Sequence, residues 1–357
     1  RINQQMIHRT INKRVVKIKT LLIDGEVLLK ISFFGTKNTI TERGRVYTIY
    51  NFLNTIRKFY MEYAITKVVV FWEGDNSRAY RQSFYPYYKA NRDALYNLSD
   101  DEYSDLQFQR RRIKEYLEEL HIRQIQENES EADDCIAYYV QNSPNEHKIV
   151  FTNDKDLLQL LSEDTEVYLA DFTRKFIVTQ KNFHQHFPYH HRNVALIKMI
   201  GGDPADNISG IEGIAEKTVL SIFPELKTEA KDVEWVRERA QQLLTEQPKN
   251  NAVAKIVDGQ TKWGTYGTDY FAVMETIISL NPPHLTEDGV QDLEDVKDSP
   301  IDPEGRGGVK KVLNMFLEDG IRITNSNNDE AFFEYWQPFN TIIKKELDYY
   351  KQYSQTK

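Results

Sequence analysis

Three short apolar runs, each closed by a carboxylate, constrain this chain more than any other feature of its 357 residues. Residues 20–24 read TLLID, residues 67–72 read KVVVFW before Glu-Gly-Asp, and residues 148–152 read KIVFT before Asn-Asp-Lys-Asp. Runs of this length and composition, bounded by turn-forming residues, predict buried strands. Helical patterns at 45–63 and 105–120 lie between them, and that alternation predicts parallel βαβ units in an α/β fold with a mostly parallel central sheet. In such sheets, sites form beyond the carboxyl ends of the strands. All three runs place acids there: Asp24, Asp75, and the pair Asp154 and Asp156. From about residue 193 the pattern is helical. Residues 282–308, rich in Asp, Glu, Pro and Gly, read as a solvated linker or insertion, and helical patterns resume at 309–316 and 330–353.

Composition narrows the class. With 40% hydrophobic residues and one cysteine, Cys135, the chain reads as globular without a disulfide framework, as in a reducing compartment. No apolar run approaches the roughly 18–20 residues that cross a bilayer, and the basic stretch 1–19 lacks the apolar core of a signal peptide. The expectation is a soluble, cytoplasmic protein with no membrane partner. A net charge of −8 argues only weakly against nucleic acid, because basic residues gather at 9–19, 78–92 and 110–123 and metal-binding acids are neutralised in use.

Further acids cluster. Glu131, Asp133 and Asp134 open a predicted helix, with Glu131 and Asp134 on one face, and Asp203 and Asp206 form another i,i+3 pair. Taken singly, each group reads equally well as solvated surface or helix N-cap. Taken together they form an oxygen-only set, which selects hard cations such as Mg²⁺ or Mn²⁺. Two ions about 4 Å apart activate water and stabilise the leaving oxygen of a phosphoryl displacement. The residues alone thus reach metal-assisted phosphoester chemistry.

The ordered motifs LLIDG (21–25), YRQSFYPYYKANR (80–92), ESEADD (129–134), FTNDKDLLQLL (151–161) and GGDPADNISGIEGIAEKTV (201–219) resemble the 5′-nuclease and flap endonuclease superfamily, in particular phage 5′-exonucleases and phage ribonuclease H. The resemblance implies a PIN-like α/β core with a helical arch and a helix-hairpin-helix C-terminal region. The implied divisions are a basic extension (1–19), the nuclease core (20–192, arch about 78–105), a duplex-binding region (193–281), the acidic linker (282–308) and a helical C-terminal region (309–357). It implies a structure-specific 5′-nuclease, a flap endonuclease or 5′-3′ exonuclease able to remove RNA primers. Its metal ligands would be Asp24, Asp75, Glu131, Asp133, Asp134, Asp154, Asp156, Asp203 and Asp206, holding two Mg²⁺ with Mn²⁺ as substitute. Lys89 and Arg92 would act at the scissile phosphate beside Asp154. Arg81, Lys89, Arg92, Gly210, Gly213 and Lys217 would contact DNA, the arch aromatics Tyr80, Phe84, Tyr85, Tyr87 and Tyr88 would stack on bases or pack beneath the arch, and K⁺ would fit the hairpin carbonyls. Partners would be branched or 5′-ended duplex DNA, RNA–DNA hybrid, and a single-strand-binding protein or sliding clamp, met by a monomer in the cytoplasm (the host's, for a phage protein). Ala215 departs from the family's usual glycine, and Ile31 replaces an arginine with Lys30 adjoining.

Two other readings are open. A non-catalytic DNA-binding scaffold would keep the hairpin but gain nothing from nine mutually repelling acids. A PIN-type ribonuclease would lack the hairpin that follows the last Asp pair.

Overall fold

A computed structural model describes residues 18–36, 39–40, 43–91, 98–170, 174–322 and 329–356. Arg92 and nearly all of the basic N-terminal stretch therefore lie outside the described residues. The chain runs β1 (Ile18–Asp24), α1 (Gly25–Gly35), α2 (Tyr47–Tyr63), β2 (Lys67–Trp72), α3 (Ala79–Phe84), α4 (Asp100–Glu119), β3 (Arg123–Gln126), α5 (Ala132–Gln141) and β4 (Glu146–Thr152). It continues with β5 (Thr165–Ala170), β6 (Lys175–Val178), α6 (Val194–Gly201), α7 (Glu216–Ile222), α8 (Val233–Glu246) and α9 (Asn251–Val257). The hairpin β7 (Gln260–Thr261) and β8 (Gly264–Thr265) precedes α10 (Tyr270–Ile278), α11 (Glu287–Asp298), α12 (Gly308–Asp319) and α13 (Asp329–Thr356).

The six-stranded sheet has the order β3-β2-β1-β4-β5-β6. All neighbours are parallel except β5 and β6. The predicted strands are its three central members. Side chains alternate across a strand, so Leu21 and Ile23 enter one core with Val68, Val70 and Trp72, while Leu22 enters the other with Val69 and Phe71. Helices cover both faces, which is why these strands read as unbroken apolar runs rather than as alternation. One core joins the sheet to α5 and continues through α6–α11; the other joins it to α1, α2, α4, α12 and α13. No break in packing sets residues 193–281 apart, because Ile200, Val219, Phe223 and Met274 share a core with Leu22 and Val150.

The segment 282–308 differs from the solvated linker that its composition predicts. Thr286 caps α11 by accepting from the Gly289 amide at 2.9 Å. Leu293 is fully buried, and α11 packs against α5 and β3. Arg123 at the sheet edge donates to the Ser299 carbonyl at 2.7 Å and to Glu346 of α13 at 2.6 Å. The acids within α11 lie mostly on the outward face of an amphipathic helix, which composition cannot distinguish from a linker. No described helix is long and apolar enough to cross a membrane.

Candidate active site

The chain reverses its direction of winding between β1 and β4, and their carboxyl ends open side by side. Asp24 closes β1 and caps α1, its Oδ1 accepting from the Val27 amide at 3.1 Å. Its Oδ2 accepts from the Thr152 hydroxyl, at the end of β4, at 3.1 Å. Glu73, the first residue after β2, accepts from the Ser77 hydroxyl at 2.8 Å and from the Ala132 amide at 3.3 Å. Asp133 enters from the first turn of α5. Asp154 follows β4 and caps a 3₁₀ turn by accepting from the Asp156 amide at 2.8 Å. The acids repel one another. Burial, opposed by the Val27 amide and reinforced by Glu73 and Asp154, raises the Asp24 carboxyl to about 7. Burial, then Asp154 and Asp24, push Asp133 well above the carboxylate range, and burial with Glu131 raises Glu73.

A second group adjoins the first. Asp154, Asp156 and Asp206 each bring a carboxylate oxygen within 4.8 Å of the others. Lys198 of α6 reaches into this group, its Nζ 2.9 Å from Asp203, 3.2 Å from Asp206 and bonded to Asp156. Burial works to lower the Lys198 ammonium, and the surrounding aspartates more than reverse it, so the group stays charged. Asp203 also caps the 3₁₀ turn Pro204–Asp206, accepting from the Ala205 amide at 2.8 Å. The N-cap reading and the converging-site reading are therefore both true of Asp24, Asp154 and Asp203.

Cations bind the remaining acids. Arg81, buried in α3, grips Asp134 through Nη1 at 2.6 Å and Nη2 at 2.9 Å, and reaches Glu131 at 2.8 Å and the Ile277 carbonyl at 2.9 Å. The His284 amide donates to Asp134 at 2.9 Å. Glu131 also accepts from Tyr88 Oη at 2.8 Å and Lys89 Nζ at 2.5 Å. Burial works to raise Glu131, but Lys89 and Arg81 hold it below the usual range. Lys89 has φ of 52°, a left-handed conformation that costs a non-glycine residue about 1–3 kcal/mol and that tends to gather at functional sites. Its amide donates to the Asp206 carbonyl at 2.9 Å, which ties the arch base to the second acidic group.

Gly210 and Gly213 lie in the turn between α6 and α7. Gly210 has φ of +63°, and a Cβ there would stand 2.3 Å from the Gly202 amide nitrogen, so this approach requires glycine. Gly213, at φ +75°, faces open space. Ala215 sits in extended backbone at the α7 N-cap, where a side chain is no obstacle. Lys217, in the first turn of α7, is exposed.

The structure thus brings Asp24, Asp133, Asp154, Asp156, Asp203 and Asp206 together and places Asp75, Asp134, Glu131 and Arg81 differently. Asp75 is exposed and acts electrostatically on Lys114, while Glu73 is the residue of this loop that acts on Asp24. Asp134 is fully buried in its bond to Arg81 and turns away from Asp133. Glu131 holds Lys89, Tyr88 and Arg81 in place. Arg81 is buried behind the site and presents nothing to a DNA surface. Sequence reasoning also missed Lys198 and Glu73, and each left a signal: a lone lysine in the apolar helix VALIKMIG, and an acid directly abutting a strand. Among the arch aromatics, Tyr85 and Tyr88 are buried and Tyr80 stacks on His284 at 3.4 Å, while Phe84 and Tyr87 are exposed.

Residues 19–188 match the family model described as 5′-3′ exonuclease, N-terminal resolvase-like domain. The 5′-3′ exonuclease of Bacillus subtilis is 33% identical over 218 residues, covering 59% of this chain and 71% of that protein. That of Halalkalibacterium halodurans is 29% identical over 220 residues, covering 58% of this chain and 70% of its own length. In fold, the chain is similar to bacteriophage T5 5′-exonuclease, with a TM-score of 0.56 across 78% of this chain and 96% of that one at 21% identity.

Proposed function

The chain belongs to the 5′-3′ exonuclease family, and on that premise we propose that it is a structure-specific, Mg²⁺-dependent 5′-nuclease acting on branched or 5′-ended DNA and on RNA–DNA hybrids. The observation that carries this reading is the meeting of Asp24, Glu73, Asp133 and Asp154 with Asp156, Asp203 and Asp206 beyond the ends of β1, β2 and β4. An all-carboxylate donor set fits hard divalent ions, and the mutual repulsion of these acids is the condition such ions relieve. Bound there, two Mg²⁺ or Mn²⁺ ions supply activation of a water and charge stabilisation on the leaving oxygen.

The chain's own residues do the rest. The first four acids would hold one ion and the Asp156 group the other. Lys89, buried and bonded to Glu131 beside the cluster, would turn from that carboxylate to bring its ammonium to a phosphate, where charge builds in the transition state; Arg92, three residues on, would serve the same phosphate. The exposed backbone at Gly213 and the N-terminal turn of α7 with Lys217 suit a duplex phosphate, and hairpin carbonyls nearby would accept K⁺. Glu131 and Asp134 position Lys89 and Arg81. A DNA-binding scaffold would have no use for the repulsion among these acids.

Digestion of labelled flap, nicked, gapped and RNA-primed duplexes tests the proposal. Cleavage from the 5′ side is expected with Mg²⁺ or Mn²⁺ and none in excess EDTA. Hydrolysis that survives chelation overturns it.

A further inference from the structure

Tyr87 and Trp263 stack face to face, ring centroids 4.3 Å apart and planes within 10°, yet both stay well exposed, at 36% and 39%. Trp263 occupies the tip of the β7–β8 hairpin, and the Lys262 ammonium lies 4.3 Å from its ring centroid. Tyr87 takes one face of the indole, so that ammonium covers the other. Trp72 and Trp336, by contrast, are fully buried. Trp263 keeps 39% of its surface exposed although its N–H faces the Tyr85 hydroxyl, so part of the indole is open beyond what its anchoring to the arch base uses. The arch base is already tied down by polar bonds: Asn207 Nδ2 to the Tyr87 carbonyl at 2.7 Å, the Ser209 amide to Tyr85 Oη at 3.3 Å, and the Lys89 amide to Asp206.

The location gives the pair a use. Tyr87 is two residues from Lys89, whose ammonium meets Glu131 at the acidic cluster. The Lys262 amide donates to Ser209 Oγ at 3.3 Å, and the Gln260 carbonyl accepts from the Glu212 amide at 2.9 Å, which fixes the hairpin against the Gly210–Gly213 turn. The aromatic pair therefore bridges the candidate phosphate-binding turn and the acids.

We infer that Trp263, backed by Tyr87, is a nucleobase-stacking subsite that fixes the substrate strand beside the scissile phosphate, with Lys262 swinging from the ring to an adjacent phosphate. This inference rests on the nuclease reading above. Stacking suits an enzyme that reads shape, because every base offers a π-face. Among the described residues, the flexible Lys262 over the ring must leave the indole for a base to take its place.

The test uses 5′-flap duplexes carrying 2-aminopurine at successive positions around the branch, bound in EDTA to the full chain. Wild type should change the fluorescence at one or two adjacent positions. Trp263→Ala should abolish that change and weaken binding about tenfold, as loss of one base–aromatic stack does; in Mg²⁺, KM should rise more than kcat falls. Trp263→Leu keeps the apolar bulk and removes the π-face, so it should behave like Trp263→Ala, while Trp263→Phe should keep most of the signal. If Trp263→Leu matches wild type in fluorescence and affinity, the ring is a packing clip and the inference fails. If wild type neither binds nor cuts any flap, the nuclease reading falls first and takes this one with it.

Discussion

One residue separates Glu73 from Asp75, and that residue, Gly74, decides which of them turns inward. A Cβ on Gly74 would stand 2.0 Å from the Glu127 carbonyl, so only glycine lets this loop press against 127–128, where the Asn76 amide donates to the Asn128 carbonyl at 3.0 Å. That approach leaves Glu73 facing Asp24 and sends Asp75 to solvent. Glu73→Gln should lower single-turnover cleavage by about 10–100-fold at least, the cost of weakening a metal site, with Asp75→Asn near wild type; the reverse ranking refutes the exchange. Lys198 is the second case. In the metal-free protein its ammonium is the counter-charge for Asp156, Asp203 and Asp206, so Lys198→Met leaves buried charges unpaired, at a cost of about 3–5 kcal/mol. Urea unfolding in EDTA should show that loss, and added Mg²⁺ should stabilise the variant more than wild type. Equal stability in EDTA would show that Lys198 is not that counter-charge.

At the scale of elements, α11 carries more than its composition suggests. The bonds from its approach segment reach the site: His284 stacks on Tyr80 and its amide meets Asp134, while Thr286 donates to Glu127 at 3.2 Å. Arg81 is thus gripped between α5, α10 and this segment. Leu293, fully buried beneath α11, is the element's apolar anchor. Leu293→Ala should cost about 2–5 kcal/mol, read as a lower urea midpoint with an unchanged slope. Stability within experimental error of wild type would mean that α11 is only laid on the surface.

For the whole molecule, the sheet needs both layers of helices, and the C-terminal helices supply part of one. Trp336 and Phe339 of α13 are fully buried, and Trp336 packs against Phe316 of α12 at 5.4 Å. Tyr335 stacks on Tyr50 of α2 at 5.7 Å, and Glu346 closes the ion pair with Arg123 at the β3 edge. Truncation before residue 329 uncovers these surfaces at once. It should destabilise the chain by more than any single core substitution and increase binding of a hydrophobic dye. A truncated chain that melts like the full one would contradict this view of the packing.

Three unbroken apolar runs marked the strands by themselves, and the fixed strand period sends alternate residues to opposite faces, but which helices cover each face was decided by the tertiary structure. Acids placed after those runs had to gather at one end of a parallel sheet, which made Asp24, Asp154 and Asp156 legible there, while Asp133, Asp203 and Asp206 were tied to them only through their motifs. The family motifs carried the same information in condensed form. Which acids accept a cation instead was not legible. Arg81 lies 53 residues from Asp134, and Lys198 lies 42 from Asp156. Such partners are chosen by how helices cross the sheet rather than by local spacing. The inward turn of Glu73 depends on the distant 127–128 backbone, and the burial of α11 on a sheet edge that no local pattern reveals. The aromatic pair is of the same kind, since Tyr87 and Trp263 meet only when the hairpin folds back on the arch base. Local sequence sets the direction of each side chain along its own element, and the tertiary structure decides what that side chain meets.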